Sequence, residues 1–276
     1  MVFTSVSLGY IYRIALRHPT ARLIHITPEN LTFFKRHGMD LATIVKRFAT
    51  ALTTIDREDT RARANRRTGE LYRPGLPAMS EREVTTAFCK WWRSKYPEDF
   101  PQDHRIEAEV RYPLDQRARC DFVIRDLNDQ VTWAVEVKKI SLVGDNGKGN
   151  DFGVTKMLSP YLKDRSLRHD LLRLKDSGLA GRAACIVYGF SYSAETVAYA
   201  RHKFVEEATR IANLDRVRDS ARDANGVYSL EPLTDIAQLM FDKEKLTTNV
   251  IRKEFSGAWT HPCGGNGLVV GWEVAR

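Results

Sequence analysis

Cysteine is scarce in this chain of 276 residues, which has only four, far apart and without a CxxC pair or a Cys/His cluster. The scarcity argues against a disulfide framework and against a zinc site, and it favours a reduced, cytoplasmic protein. Long apolar runs are also missing, because no stretch approaches the roughly 20 residues that a membrane-spanning helix needs. The first residues, MVFTSVSLGYIYRIALRH, have no basic segment ahead of the apolar stretch, and Arg13 interrupts it. We therefore expect neither a membrane segment nor a secretory signal.

Motifs of several common protein classes are absent as well. The glycine-rich segment GDNGKG at 144–149 lacks the spacing of a phosphate-binding P-loop, although Lys148 could contact a phosphate. The sequence contains no internal repeat and no low-complexity segment. Its composition is that of a globular protein, with 43% hydrophobic and 28% charged residues. The formal net charge of +8 suits a polyanionic partner without identifying one.

Residues 1–57 are predicted to form a small and mostly helical unit. Two short β-favouring stretches precede apolar residues at three- and four-residue spacing, which is typical of amphipathic helices. Residues 58–78 follow as a basic linker, with many charges and no apolar periodicity. Either this linker is simply solvated, or its arginines contact phosphates. The arginines concerned are Arg61, Arg63, Arg66, Arg67 and Arg73.

Residues 79–276 alternate helical and β-favouring segments. Ser80 and Glu83 form the pattern of a capping box, at the start of a helix that should run to Lys95. Turn residues separate the next three β-favouring runs, so an antiparallel meander is expected. The further predicted elements are, in order, strands at Arg105–Tyr112, Ala118–Arg125 and Val131–Ile140, a helix at about Leu162–Lys175, a strand at Ala183–Phe190, a helix at about Ala194–Asn213, and strands at Phe255–Thr260 and Leu268–Val274. This order predicts an α/β sandwich with a mixed central sheet and a C-terminal β extension.

Three residues of the meander carry the chemistry that the sequence predicts. Glu136 and Lys138 are two positions apart, so they project from the same face of their strand. Asp121 lies on the preceding strand, and the short hairpin between them allows its carboxylate to meet that of Glu136. The two carboxylates and the carbonyl of Val137 would bind a hard divalent cation, and Lys138 would orient or activate a water. Such a group of residues suits the hydrolysis of phosphodiester bonds.

The simpler alternative is that Asp121 and Glu136 are exposed strand residues and that Lys138 is a solvated charge at the edge of the sheet. A D…ExK pattern occurs often by chance. Its position favours a site, because the pattern ends an otherwise buried, β-branched strand, where an unpaired glutamate would be costly.

The segment from Ser80 to Phe190 resembles the PD-(D/E)xK superfamily of restriction-endonuclease-like nucleases. The common core of that superfamily is αβββαβ, which is the order of the elements predicted above. Its motif falls on Asp121, Glu136 and Lys138. The resemblance implies an α/β fold with a mixed central sheet flanked by helices, and a metal site for Mg²⁺ at which Mn²⁺ would substitute.

Many members of the superfamily add a glutamate from the first helix to the site. Glu81 and Glu83 both qualify, and both would also complement the helix dipole. We prefer Glu81, because it lies on the same helix stripe as Val84 whereas Glu83 has a capping role. One departure from the pattern is Cys120, which stands where many members have a proline that supplies no ligand.

The helix predicted near residues 162–175 has an apolar stripe and a basic outer face. Its leucines, Leu167, Leu171 and Leu174, are expected to point inward, and its basic residues, which include Arg165, Arg168 and Arg173, are expected on the surface. In the resembled fold this helix packs beside the active site and often approaches DNA. The alternative is an ordinary solvated face.

We expect from these patterns a metal-dependent nuclease that acts on DNA, and most simply an endonuclease of restriction, repair, or phage or mobile-element biology. The alternative is a catalytically silent nuclease fold that binds DNA or serves as an adaptor subunit of a larger machine. The intact triad argues against that alternative. A homodimer or a partner subunit is compatible with both functions.

Overall fold

The computed structural model describes residues 39–64, 69, 71–72, 74–101, 104–142, 156–157, 159, 166–191, 230–258 and 265–275. The chain divides into two compact units, Met1–Gly38 and Met39–Arg276. This division falls earlier than the boundary expected at residue 57, because the helix that follows Met39 packs on the sheet of the second unit. The two short β-favouring stretches of the first unit, at 2–11 and 22–26, and the helix predicted at about 194–213 lie outside the described residues. No helix in the described ranges is long and apolar enough to cross a membrane.

The described residues form four α-helices and eight strands. The helices are α1 (Leu41–Glu58), α2 (Glu81–Lys95), α3 (Leu167–Asp176) and α4 (Glu231–Glu244), with a short 3-10 turn at Pro97–Asp99. The strands are β1 (Arg63–Ala64), β2 (Leu71–Tyr72), β3 (Arg105–Arg111), β4 (Arg119–Arg125), β5 (Val131–Ile140), β6 (Arg182–Phe190), β7 (Thr247–Phe255) and β8 (Gly267–Val274).

Six of these strands form one mixed sheet in the order β3-β4-β5-β6-β8-β7. Neighbouring strands are antiparallel except β5 and β6, which run parallel from Trp133↔Arg182 to Ile140↔Gly189. The antiparallel meander β3-β4-β5 was predicted from the sequence and is confirmed. The prediction of an α/β protein with a mixed central sheet is confirmed at this level as well.

Helices cover both faces of the sheet. On one face α1 packs on β7 and β8, and α2 packs on β3, β4 and β5. The rings of Phe88 on α2 and Phe122 on β4 lie 5.5 Å apart there. On the other face α3 contacts β5 and β6, and Phe241 of α4 meets Trp272 of β8 edge to face at 5.6 Å. Because both faces of the central strands are buried, a polar side chain on them needs a partner.

The region predicted as a basic linker, either mobile or an exposed loop, contains ordered structure in its described part. Strands β1 and β2 pair as a small antiparallel hairpin. Arg63 of β1 is ion-paired with Asp59, with its Nη1 2.6 Å from Oδ2. The backbone N–H groups of Gly75 and Leu76 donate to the carboxylates of Asp59 and Asp56, each over 2.8 Å. These bonds fasten the segment that precedes α2 to the C-terminal end of α1, which a freely moving linker would not permit.

One of the two C-terminal strands lies where it was predicted, and the other does not. The strand β8 agrees with the prediction of a strand at Leu268–Val274. The strand β7 ends at Phe255, where the sequence predicted that a strand would begin. The two strands pair with each other, and β8 lies between β6 and β7 in the sheet.

Candidate active site

The candidate site lies where β4 and β5 separate. Backbone pairing between these strands runs from Arg125↔Val131 to Phe122↔Val135. One residue further on, the side chain of Asp121 replaces the backbone partner, because its Oδ2 accepts a hydrogen bond from the N–H of Val137 over 2.6 Å. The Asp121 carboxylate is thereby fixed against the strand that carries the other two motif residues.

The carboxyl groups of Asp121 and Glu136 lie within hydrogen-bonding reach of each other. Glu136 is only 3% exposed. Burial, reinforced by the charge of Glu136, raises the pKa of Asp121 well above its usual value. Burial, followed by the charge of Asp170, likewise raises the pKa of Glu136. Two carboxyl groups at hydrogen-bonding distance need either a shared proton or a cation between them.

Glu136 has two further partners, and both contact its Oε1 atom. The hydroxyl of Tyr112 donates to it over 2.5 Å, and Nη2 of Arg173 donates over 3.0 Å. Burial raises the pKa of Tyr112 far above its usual value, so this hydroxyl is a neutral donor. The remaining oxygen, Oε2, takes part in neither of these two contacts.

Lys138 is held by a carboxylate that comes from helix α3. Its Nζ is 2.5 Å from Oδ2 of Asp170, whose side chain is fully buried. Burial by itself would lower the pKa of Lys138, but the charge of Asp170 outweighs it and raises that pKa. Lys138 is therefore an ammonium group at neutral pH. Of the two roles expected for it, orienting a water or a phosphate by donation fits this state, and removing a proton does not.

Asp170 also contacts Arg173, since Nη2 of Arg173 is 2.7 Å from Oδ1 of Asp170. We call Asp121, Glu136, Lys138, Asp170 and Arg173 the charge cluster. It contains three acids and two bases, so one proton shared between Asp121 and Glu136 makes it electrically neutral. A neutral cluster avoids the large cost of an uncompensated buried charge.

The structure distinguishes the two candidate glutamates of α2. Glu83 completes the capping box with Ser80 and is ion-paired with Arg63, whose Nη2 is 3.0 Å from Oε1. Glu81 instead faces the motif strand, where its Oε1 accepts from the backbone N–H of Lys139 over 3.0 Å. Its charge also acts on both Asp121 and Lys138. The geometry therefore supports the preference for Glu81.

Lys139 and Lys156 join Glu81 to the surroundings of the site. Nζ of Lys156 is 3.0 Å from Oε1 of Glu81. Nζ of Lys139 donates to the carbonyl oxygens of Leu76, Pro77 and Met79 over 2.6–3.1 Å. The segment before α2 is thus held by α1 through its N–H groups and by β5 through its carbonyl groups. This double attachment fixes the N-terminal end of α2, and with it Glu81, relative to the motif strand.

The predicted nucleic-acid contacts have mixed positions. Arg61 is exposed, with 64% of its side chain accessible, and its Nε is 3.4 Å from Oδ1 of Asp59. Arg63 is largely buried and committed to ion pairs with Asp59 and Glu83, and Arg168 is ion-paired with Glu244 over 2.7 Å. The other predicted contacts, Arg66, Arg67, Arg73, Lys148 and Arg165, lie outside the described residues.

The donor set of the cluster fits a hard cation. No group of three or more His, Cys, Asp or Glu side chains in the described part of the chain is arranged as a metal site. Asp121 and Glu136 nevertheless form a close carboxyl pair, in which Glu136 is buried and Asp121 is partly buried. Mg²⁺ in proteins is typically bound by one or two carboxylates together with substrate phosphates and water. The two carboxylates of Asp121 and Glu136 satisfy that pattern.

Sequence reasoning missed three members of the site and misplaced a fourth. Tyr112, Asp170 and Lys156 were not predicted, and Arg173 was expected on the surface. A signal for Asp170 was present, because it lies four residues before Leu174 and so falls on the buried stripe of its helix. A charged residue on a buried stripe needs a charged partner, and that requirement indicates a polar site beneath the helix.

Comparison with known proteins adds no relative to this description. A scan against protein-family models, a search of curated proteins and a search of solved structures all gave no match.

Proposed function

We propose that this protein is a metal-dependent nuclease that hydrolyses DNA phosphodiester bonds on a restriction-endonuclease-like core. The observation that carries the proposal is the close carboxyl pair of Asp121 and Glu136. Lys138, an ammonium group, follows Glu136 by two positions on the same strand. Burial raises the pKa of both groups, and the charge of Glu136 raises that of Asp121 further, so the pair is costly to the fold. Such pairs are concentrated at functional sites, where a reaction uses them.

The order of the described elements supports the choice of fold. Helix α2, the meander β3-β4-β5, helix α3 and strand β6 follow one another as αβββαβ, with β5 and β6 parallel. The motif residues lie on β4 and β5, and α2 supplies Glu81. An agreement of motif, strand position and helix order is more specific than the motif alone.

In this proposal Asp121, Glu136 and the carbonyl of Val137 would hold Mg²⁺, or Mn²⁺ in its place. The bound ion would stabilise the charge that develops on the phosphate and make a coordinated water more acidic. Lys138 donates a hydrogen bond toward the reacting phosphate or water, and Asp170 keeps it protonated and in place. Glu81 assists from the end of α2, through an outer-shell water or a second ion.

DNA would be held by basic residues around this site. A formal net charge of +8 attracts a polyanion, and arginine suits phosphate. We propose that Arg61 makes such contacts, together with the basic residues outside the described ranges: Arg66, Arg67, Lys148 and Arg165. Arg63 and Arg168 are less exposed than Arg61 and are paired at shorter range with carboxylates within the chain, so they are weaker candidates. A homodimer or a partner subunit is compatible with this arrangement.

One observation favours a second candidate function, a nuclease fold without activity that binds DNA or acts as an adaptor. The charge cluster is neutral without a metal, because Lys138 and Arg173 balance Asp170 and the one negative charge that Asp121 and Glu136 carry when they share a proton. A site that has lost its catalytic activity would keep such a neutral cluster for stability alone.

Cleavage of supercoiled and linear plasmid DNA in Mg²⁺ separates the two functions, with RNA as a parallel substrate. We expect the wild-type protein to nick DNA, and Asp121→Asn and Lys138→Met to lose activity by roughly 100-fold or more. The matched control is Asp235→Asn, which removes a surface carboxylate ion-paired with Arg252 and should leave the rate unchanged. A wild-type protein that binds DNA with a strong salt dependence but never nicks it, at any Mg²⁺ or Mn²⁺ concentration, is instead a binding module.

A further inference from the structure

We propose that Arg173 is a further functional residue of this site: its guanidinium compensates Glu136 when no divalent cation is bound and must leave that carboxylate when the ion binds. This inference rests on the proposed function, because the ion concerned is the one that a nuclease would use. Arg173 would then set how readily the site takes up metal. It would act as a built-in competitor and not as a ligand.

Arg173 does not use its hydrogen-bonding groups fully. One nitrogen, Nη2, serves both anions, at 3.0 Å from Glu136 and 2.7 Å from Asp170. Its Nε is buried and has no hydrogen-bond partner among the described residues. A guanidinium has five N–H donors and binds carboxylates best through two parallel hydrogen bonds. The group is therefore placed by the charge of Glu136 more than by its own hydrogen-bonding preference.

Arg173 has a second anchor that it keeps after it leaves Glu136. Asp170 precedes it by three residues on the same helix, so the two side chains are neighbours on one helix face. The Arg173 side chain is 23% exposed, whereas that of Asp170 is fully buried. The guanidinium also lies 5.2 Å from the centre of the Tyr112 ring. A small movement toward solvent would free Glu136 while the ion pair with Asp170 remains.

The competition follows from charge. A guanidinium and a divalent cation that share one carboxylate repel each other strongly in a buried site, where water screens little. The Oε1 atom of Glu136 is already occupied by Tyr112 and Arg173. An ion would therefore bind at Oε2 of the same carboxylate, and its repulsion across that carboxylate would displace Arg173 from Glu136. The free energy of that displacement weakens the apparent affinity for the metal.

Binding of Mn²⁺ to the full chain, measured by the electron paramagnetic resonance signal of the free ion, tests this role without any activity. We expect Arg173→Met to bind Mn²⁺ about tenfold more tightly than wild type, which corresponds to about 1.4 kcal/mol. Arg173→Lys keeps the charge but loses the planar guanidinium, so its affinity should lie between the two. The matched control is Arg125→Met, which removes a half-buried arginine paired with Glu107 at the far end of β4 and should change nothing.

The outcomes separate this role from the proposed function. Equal or weaker Mn²⁺ binding by Arg173→Met overturns the role of Arg173, and it leaves the nuclease proposal standing if the wild type nicks DNA. Absence of Mn²⁺ binding in every variant, or binding that survives Asp121→Asn, overturns the metal site and with it both proposals. If Arg173→Met does not fold, the ¹⁵Nε resonance of Arg173 in the wild type decides. It should shift on addition of Mg²⁺, and an unchanged resonance at saturating Mg²⁺ contradicts the displacement.

Discussion

Replacing Asp170 by asparagine removes one charge from the charge cluster with almost no change of shape. Asp170 is fully buried and contacts two cations, Lys138 at 2.5 Å and Arg173 at 2.7 Å. After the substitution both cations keep a polar neighbour but lose their shared anion. The cluster then carries one uncompensated positive charge, unless the proton shared by Asp121 and Glu136 leaves.

The expected loss of stability follows from this balance of charges. Breaking a buried ion pair by removal of one partner typically costs about 3–5 kcal/mol. Asparagine still offers an acceptor oxygen, and release of the shared proton restores part of the balance. We therefore expect the lower end, about 3 kcal/mol of unfolding free energy. For a chain of this length that corresponds to a decrease in Tm of about 6–10 °C.

Urea unfolding followed by tryptophan fluorescence measures this quantity. The matched control is Asp235→Asn on α4, because Asp235 is 56% exposed and its ion pair with Arg252 is on the surface. The control should change the unfolding free energy by less than about 1 kcal/mol. A loss of less than about 1 kcal/mol for Asp170→Asn as well would refute the reasoning, because it would show that Asp170 does not compensate the two cations.

Three further predictions concern the elements that support the site. Burial raises the pKa of Asp56 from its usual 3.8 to about 6, so the stability of the fold falls as pH rises between these values. Asp56→Asn should therefore increase the unfolding free energy in urea by about 1 kcal/mol at pH 8 and leave it unchanged at pH 4. An equal effect at both pH values would contradict this. Glu83→Gln should lower the unfolding free energy in urea by about 1 kcal/mol and leave the rate of DNA cleavage unchanged, because Glu83 caps α2. Glu81→Gln should lower the cleavage rate, because Glu81 faces the motif strand. The reverse pattern would mean that Glu83 belongs to the site and that Glu81 does not. Gly75→Ala should lower the unfolding free energy by about 2 kcal/mol or more, because φ is +105° and the new Cβ would lie 2.5 Å from Oδ1 of Asp56. The control is Gly257→Ala, where φ is +69° and the space is open, and it should lower the unfolding free energy by about 1 kcal/mol. Equal losses would exclude the steric contribution.

The elements around the motif could be predicted because local rules decide them. The capping box of Ser80 and Glu83 marks the start of α2, and the structure contains both of its hydrogen bonds. Turn residues and β-favouring runs mark β3, β4 and β5, and an apolar run marks β6. In each case the signal lies within a few neighbouring residues.

Other parts of the fold depend on contacts between distant segments. The strand β7 was missed because it is an edge strand whose residues are mostly exposed or half-buried, so it lacks an apolar pattern. The pairing that places β8 between β6 and β7 joins residues about 80 positions apart along the chain, which no local pattern encodes. The packing of α1 on β7 and β8, which moved the domain boundary, is of the same kind.

The candidate site shows the same division. Asp121, Glu136 and Lys138 could be identified because strand alternation and a short hairpin bring them together. Asp170 and Arg173 join them only because α3 crosses this part of the sheet, which the sequence does not specify. The ion pair between Arg63 and Glu83 could not be predicted for the same reason, since the two residues are 20 positions apart along the chain.

The most direct test of a metal-dependent nuclease is the initial rate at which the full chain nicks supercoiled plasmid in Mg²⁺, compared with the rate of Asp121→Asn. Asparagine keeps the acceptor that holds the Val137 N–H and removes one charge from the carboxyl pair. We predict nicking by the wild type that stops when Mg²⁺ is chelated, and a rate at least roughly 100-fold lower for the variant. Equal rates for the two proteins, or no nicking by a folded wild type that binds DNA, would contradict the proposed site.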